Sequence, residues 1–133
     1  MNKLALEEKI RENSQQLVEE MGYVRPVDLL MRIGILSHAD YDRWRFGKVS
    51  YLEKVCQANL NKLSTVLKTL ERVARECGWK PSSTVYKQLG AKGKKTPLQF
   101  GKTKQPVVEK KYATHYVSKP KLPKSILMSE SGT

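Results

Sequence analysis

Five aromatic residues, Trp79, Tyr86, Phe100, Tyr112 and Tyr116, are interleaved with Lys80, Lys87, Lys92, Lys94, Lys95, Lys102, Lys104, Lys110 and Lys111. Ammonium groups attract phosphates and gain affinity by releasing the counterions of a polyanion. Aromatic faces can stack on unpaired bases. The segment contains no Arg, the residue that reads guanine through two parallel hydrogen bonds, so backbone binding with little base selectivity is expected. Lys92, Lys94, Lys95, Lys102 and Lys104 are the expected phosphate contacts, with Lys110, Lys111, Arg43 and Arg45 secondary. Phe100, Tyr112 and Tyr116 are the candidate stacking residues. The competing reading is that the aromatics join the segment to the rest of the core, with the lysines merely solvated.

The charge distribution carries the same message. Residues 79–133 hold twelve Lys against two acids, Glu109 and Glu130, a net +10. Residues 1–78 hold thirteen basic and eleven acidic residues, a net +2. Such asymmetry points to a polyanionic partner, and nucleic acid is the first candidate.

Other chemistry is poorly supplied. His115 is a conceivable general base, but the sequence places no nucleophile or orienting carboxylate beside it, and a strand histidine with an ordinary hydrogen bond is the simpler reading. His38 reads as an exposed first-turn residue. Two His and two Cys without C-x-x-C or H-x-x-x-H spacing predict no metal site. Gly90-Ala91-Lys92-Gly93-Lys94-Lys95 lacks the spacing of a P-loop. No cofactor is expected, and neither is an enzyme. Cys56 and Cys77 are expected to be reduced, half-buried thiols.

These residues need elements to position them. Lys3 to Met21 has amphipathic spacing through Leu6, Ile10, Leu17 and Val18, with Ser14 interrupting the stripe. Packing along only part of this helix is therefore expected, with Gly22 as its cap. Val27 to Ile33 and His38 to Phe46 read as two short helices around Gly34. Their spacing suits a helix-turn-helix, but Asp40 and Asp42 would face phosphate, so residues 26–46 are read as a helical hairpin of the core. Arg43, Arg45 and Lys48 on its edge offer a second contact.

Residues 50–77 read as one helix of about 28 residues. Ser50 and Glu53 match a capping box, and Leu52, Cys56, Leu60, Leu63, Val66, Leu67, Leu70, Val73, Ala74 and Cys77 form its stripe. Beyond Gly78, Leu98–Phe100 and Tyr112–Val117 are strand-like and are expected to pair as a hairpin. From Ser118 the Lys/Pro/Ser-rich chain is expected to be disordered.

The predicted fold is mainly α: a small bundle around the 50–77 helix, a short β-hairpin-like basic segment and a tail. The corresponding division is a helical domain at 1–78, the basic segment at 79–117 and the tail at 118–133. The expected function is non-enzymatic nucleic-acid binding, DNA or RNA, in a bacterial-type cytoplasm. The alternative is a protein–protein adapter whose helical domain docks a partner and whose Lys-rich tail binds an acidic surface, favoured if the chain exposes an apolar patch beside Leu63, Leu67 and Leu70. The long stripe is also compatible with a dimer. No apolar run approaches the ~20 residues of a membrane span, and the prolines of 119–124 argue against surface attachment.

Overall fold

The computed structural model describes residues 2–90 and 96–118. It is mainly helical, with a small antiparallel sheet. The helices are α1 (Lys3–Met21), α2 (Pro26–Arg32), α3 (His38–Arg45), α4 (Leu60–Cys77) and α5 (Pro106–Ala113). The strands are β1 (Tyr23–Val24), β2 (Lys80–Ser83) and β3 (Thr114–Val117), and a 3₁₀ turn spans Leu52–Val55.

Local chemistry accounts for the ends of α1. The Asn2 carboxamide oxygen accepts from the Ala5 amide at 2.7 Å, which satisfies one of the free amides of the first turn. Gly22 adopts a left-handed φ of 85°, and its N–H donates to the Val18 carbonyl. Inward residues recur at Leu6, Ile10, Ser14 and Leu17. The interruption expected at Ser14 does not occur: the residue is fully buried, and α1 packs along α4. The two helices run in the same direction, since Arg72 meets Glu7 and Arg11 meets Glu76.

The Ser14 hydroxyl has no hydrogen-bond partner among the described residues. An unsatisfied buried hydroxyl costs about 1–3 kcal/mol. Ser14→Ala is therefore expected to stabilise the chain by about 1 kcal/mol, since Ala also favours a helix interior. A denaturant midpoint that falls instead of rising, at unchanged slope, would show that the hydroxyl is satisfied in solution.

The single helix expected over 50–77 is broken. Leu52 and Glu53 donate their amides to the Gln99 and Phe100 carbonyls, at 3.1 and 2.9 Å. That contact holds the chain in a 3₁₀ turn, and Cys56 is extended with ψ 136°. The helix starts only at Leu60, where the Asn59 side chain caps the Lys62 amide at 2.8 Å. Glu53 does not close a capping box. Its carboxylate accepts from the buried Tyr112 hydroxyl at 2.7 Å. The α4 stripe of Leu63, Val66, Leu67, Leu70, Val73 and Ala74 is buried within the chain. The patch beside Leu63, Leu67 and Leu70 is thus covered within the chain.

The sheet also differs from the hairpin expected. Leu98–Phe100 is not a strand, and Tyr112 and Ala113 close α5. β3 is the central strand, in the order β1-β3-β2. Tyr23 pairs with Val117 and Val24 with Tyr116 on one side; Lys80 to Ser83 pair with Val117 to Thr114 on the other. Two short strands, one of them polar, carry almost no alternation signal, so pairing partners remote in sequence were not legible. Within β3 Thr114 and Tyr116 point inward, while His115 is half-buried and Val117 exposed.

One apolar cluster joins the two parts of the chain. It contains Val24, Val27, Leu30, Trp44, Leu52 and Leu63 together with Tyr86, Phe100, Tyr112 and Tyr116. The residues expected to form the 118–133 tail lie, apart from Ser118, outside the described residues. No helix among the described residues is long and apolar enough to cross a membrane.

Candidate functional site

The structure corrects the stacking assignment. Phe100, Tyr112 and Tyr116 are 3%, 0% and 8% exposed. Phe100 stacks on Tyr112 with ring centres 5.2 Å apart, and Trp44 packs on Phe100 at 4.9 Å. The Phe100 and Tyr112 faces are occupied by one another and by Trp44 and cannot receive bases, while Tyr116 is buried with little exposed surface. The polar tips are satisfied as burial requires: Trp44 Nε1 donates to the Gln99 carbonyl at 2.8 Å, and Tyr112 donates to Glu53. Burial, reinforced by Glu53, pushes the Tyr112 phenol well above its ordinary range. Of the five interleaved aromatics, Trp79 alone is not sealed: it is half-buried.

Arg43 and Arg45 are also reassigned. Arg43 pairs with Asp40 at 2.9 Å, one turn away on α3. The Arg45 guanidinium lies 5.2 Å from the Tyr86 ring centre and donates to the Tyr41 hydroxyl and the Lys87 carbonyl. Arg45 therefore fastens the 86–89 segment to α3, helped by the Leu89 amide on the Arg45 carbonyl. Both guanidinium groups thus have partners within the chain. α2 buries Pro26, Val27, Leu29 and Leu30, as expected of a core hairpin.

The lysines behave differently. Lys102 and Lys104 are exposed on a turn that is rigidly built. The Glu109 carboxylate accepts from the Phe100 and Gly101 amides at 2.9 and 2.8 Å. Gln99 Nε2 donates to the Gly101 and Lys102 carbonyls. Lys104 takes a left-handed φ of 55°, which costs a residue with a Cβ about 1–2 kcal/mol. Lys110, exposed, and Lys111, half-buried, follow on the last turn of α5. Lys111 borders the depression that Thr103 and Gln105 also line, which joins the turn to the helix. Lys110 and Lys111 meet Arg75 at the rim of a second groove. Lys92, Lys94 and Lys95 lie outside the described residues.

Ion pairing separates the two kinds of cation. Every Arg except Arg45 faces an acid: Arg11–Glu76, Arg25–Asp28, Arg32–Glu20, Arg43–Asp40, Arg72–Glu7 and Arg75–Glu71. No lysine among the described residues is in an ion pair. Glu109, the one acid of 79–118, is committed to backbone amides. Among the described residues, the cations outside ion pairs are therefore the lysines and Arg45. Composition already held this signal; which cations the acids neutralise became visible only in the fold.

His115 shares a 3.0 Å hydrogen bond with the Tyr86 hydroxyl through Nε2 and stacks on Tyr23. Burial, and then Arg25, hold its pKa below the ordinary imidazole value. The nearby Asp28 is held by Arg25 through two bonds of 2.6 and 2.7 Å. Cys56 and Cys77 are free and half-buried, and burial pushes the Cys56 thiol up to about 12.

The chain matches no family model, no curated protein and no solved structure.

Proposed function

We propose that this chain binds nucleic acid without catalysing a reaction on it, chiefly through the phosphate backbone. The observation that carries this reading is the separation of cations: every arginine but Arg45 pairs with an acid, whereas no lysine among the described residues is in an ion pair. Lys102, Lys104, Lys110 and Lys111 form the described part of the surface, and Lys92, Lys94 and Lys95 extend it in sequence. Lysine is a point charge on a flexible stem, so contacts follow phosphates and discriminate weakly among bases.

The test is a salt titration of the full chain on labelled duplex DNA, single-stranded DNA and structured RNA. Neutralising about six phosphates of a duplex gives a log–log slope near −5. A slope shallower than about −2 on every polymer would overturn the reading.

A protein–protein adapter is the second reading. The groove rimmed by Arg75, Lys110 and Lys111 favours it, because an acidic amphipathic segment has complementary chemistry. The same chain would then bind an acidic peptide and none of the three nucleic acids.

A further inference from the structure

The groove between the end of α4, β2 and α5 encloses about 640 Å³. That is within the roughly 300–1,000 Å³ of small-ligand pockets. Ala74, Trp79, Pro81, Val107 and Tyr116 give it an apolar lining, and Arg75, Lys110 and Lys111 a cationic one. Its acid, Glu71, is 3.9 Å from Arg75. Lys80 sits between two of the lining residues, Trp79 and Pro81. Val107 is 67% exposed although it is apolar, and Trp79 is the half-exposed aromatic left over from the core.

We infer that this groove receives the unpaired bases of a single-stranded nucleic acid, with Trp79 as the stacking residue and Lys110 and Lys111 on the flanking phosphates. The inference rests on the polyanion reading above and adds to it a strand preference. An apolar lining beside cations suits a π-face joined to phosphates, the combination that single strands present. A duplex keeps its base faces inside the stack and offers only phosphates and groove edges. A peptide added to the sheet is disfavoured at this edge, because Pro81 lines the groove and donates no backbone N–H.

Tryptophan emission of the full chain reports the groove directly. Trp44 is fully buried in the core, so a ligand in the groove acts on Trp79. The probes are an oligothymidine of about 12 nucleotides, a duplex of similar length and a poly-glutamate peptide. Binding is followed in parallel by anisotropy. The single strand is expected to quench emission saturably and the duplex to leave it unchanged. Trp79→Ala should weaken single-strand binding about tenfold or more while leaving duplex affinity unaltered. Trp79 also touches the core, so Val107→Glu serves as a second variant. The position is exposed in the first turn of α5, where a carboxylate favours the helix. It should weaken the single strand by about tenfold.

Binding of both nucleic acids with no change in emission would overturn the groove and leave the polyanion reading standing. So would retention of single-strand affinity by a folded Val107→Glu chain. Quenching by poly-glutamate, with none by the oligothymidine, would assign the groove to an acidic protein partner. Failure of both nucleic acids to bind at low salt would overturn both readings together.

Discussion

Ending the chain at Gly78 is expected to abolish the folded state. The cut would leave every residue of α1 to α4 in place, but it would remove Tyr86, Phe100, Tyr112 and Tyr116 from the cluster. Trp44 would lose two ring partners and the carbonyl that accepts its indole N–H. Leu52 and Glu53 would lose the acceptors that fix the 3₁₀ turn, and β1 its strand neighbour β3. Each aromatic buries about 150–250 Å², worth ~4–6 kcal/mol at 25 cal/mol/Å². The total stability of a domain is about 5–15 kcal/mol, so such losses cannot be absorbed. Near-ultraviolet circular dichroism and thermal melting are the measurements. The truncated chain should lack a cooperative transition. The point substitution Phe100→Ala should by itself cost about 3–5 kcal/mol. A truncation that still melts cooperatively within a few degrees of the full chain would show that residues 1–78 form an independent core. Because of this dependence, lysine substitutions test the binding surface more cleanly than deletion does.

The combined variant Lys102→Gln, Lys104→Gln, Lys110→Gln and Lys111→Gln is expected to weaken nucleic-acid binding roughly 10³-fold at physiological salt. Each phosphate contact removed lowers the log–log slope by about 0.9, so the four together should make it shallower by about 3–4. The fold should survive. None of the four side chains is in an ion pair or buried, and Lys110 and Lys111 contribute only a few tenths of a kcal/mol at the α5 C-terminus. Arg43→Gln is the matched control. Asp40 already neutralises that charge, so its loss should change affinity by no more than about twofold. If the quadruple variant keeps its affinity while remaining folded, the phosphate contacts lie elsewhere on the chain.

Some features were set by the amino-acid sequence alone. α1, α2, α3 and the C-terminal two-thirds of the 50–77 stretch follow from apolar spacing near 3.6 residues and from caps at Asn2, Ser37, Asn59, Gly22 and Gly78. These are local effects, decided within a turn or two. The lysine excess after Gly78 is likewise a property of composition and does not depend on the fold.

The tertiary structure decided the rest. Ser50 and Glu53 satisfied a local capping rule, yet the Gln99–Phe100 backbone took the amides and Tyr112 took the carboxylate. Polar partners distant in sequence outcompeted a weak local preference. The aromatics between the lysines had two physically sound destinations, a base or the core, and only the packing of Trp44 against Phe100 and Tyr86 chose the core. It left Trp79 outside that cluster and placed it beside Arg75 of α4 and Lys110 and Lys111 of α5, two helices remote in sequence. Charge can be counted along a chain, but which cations remain uncompensated depends on which acids the fold brings to them.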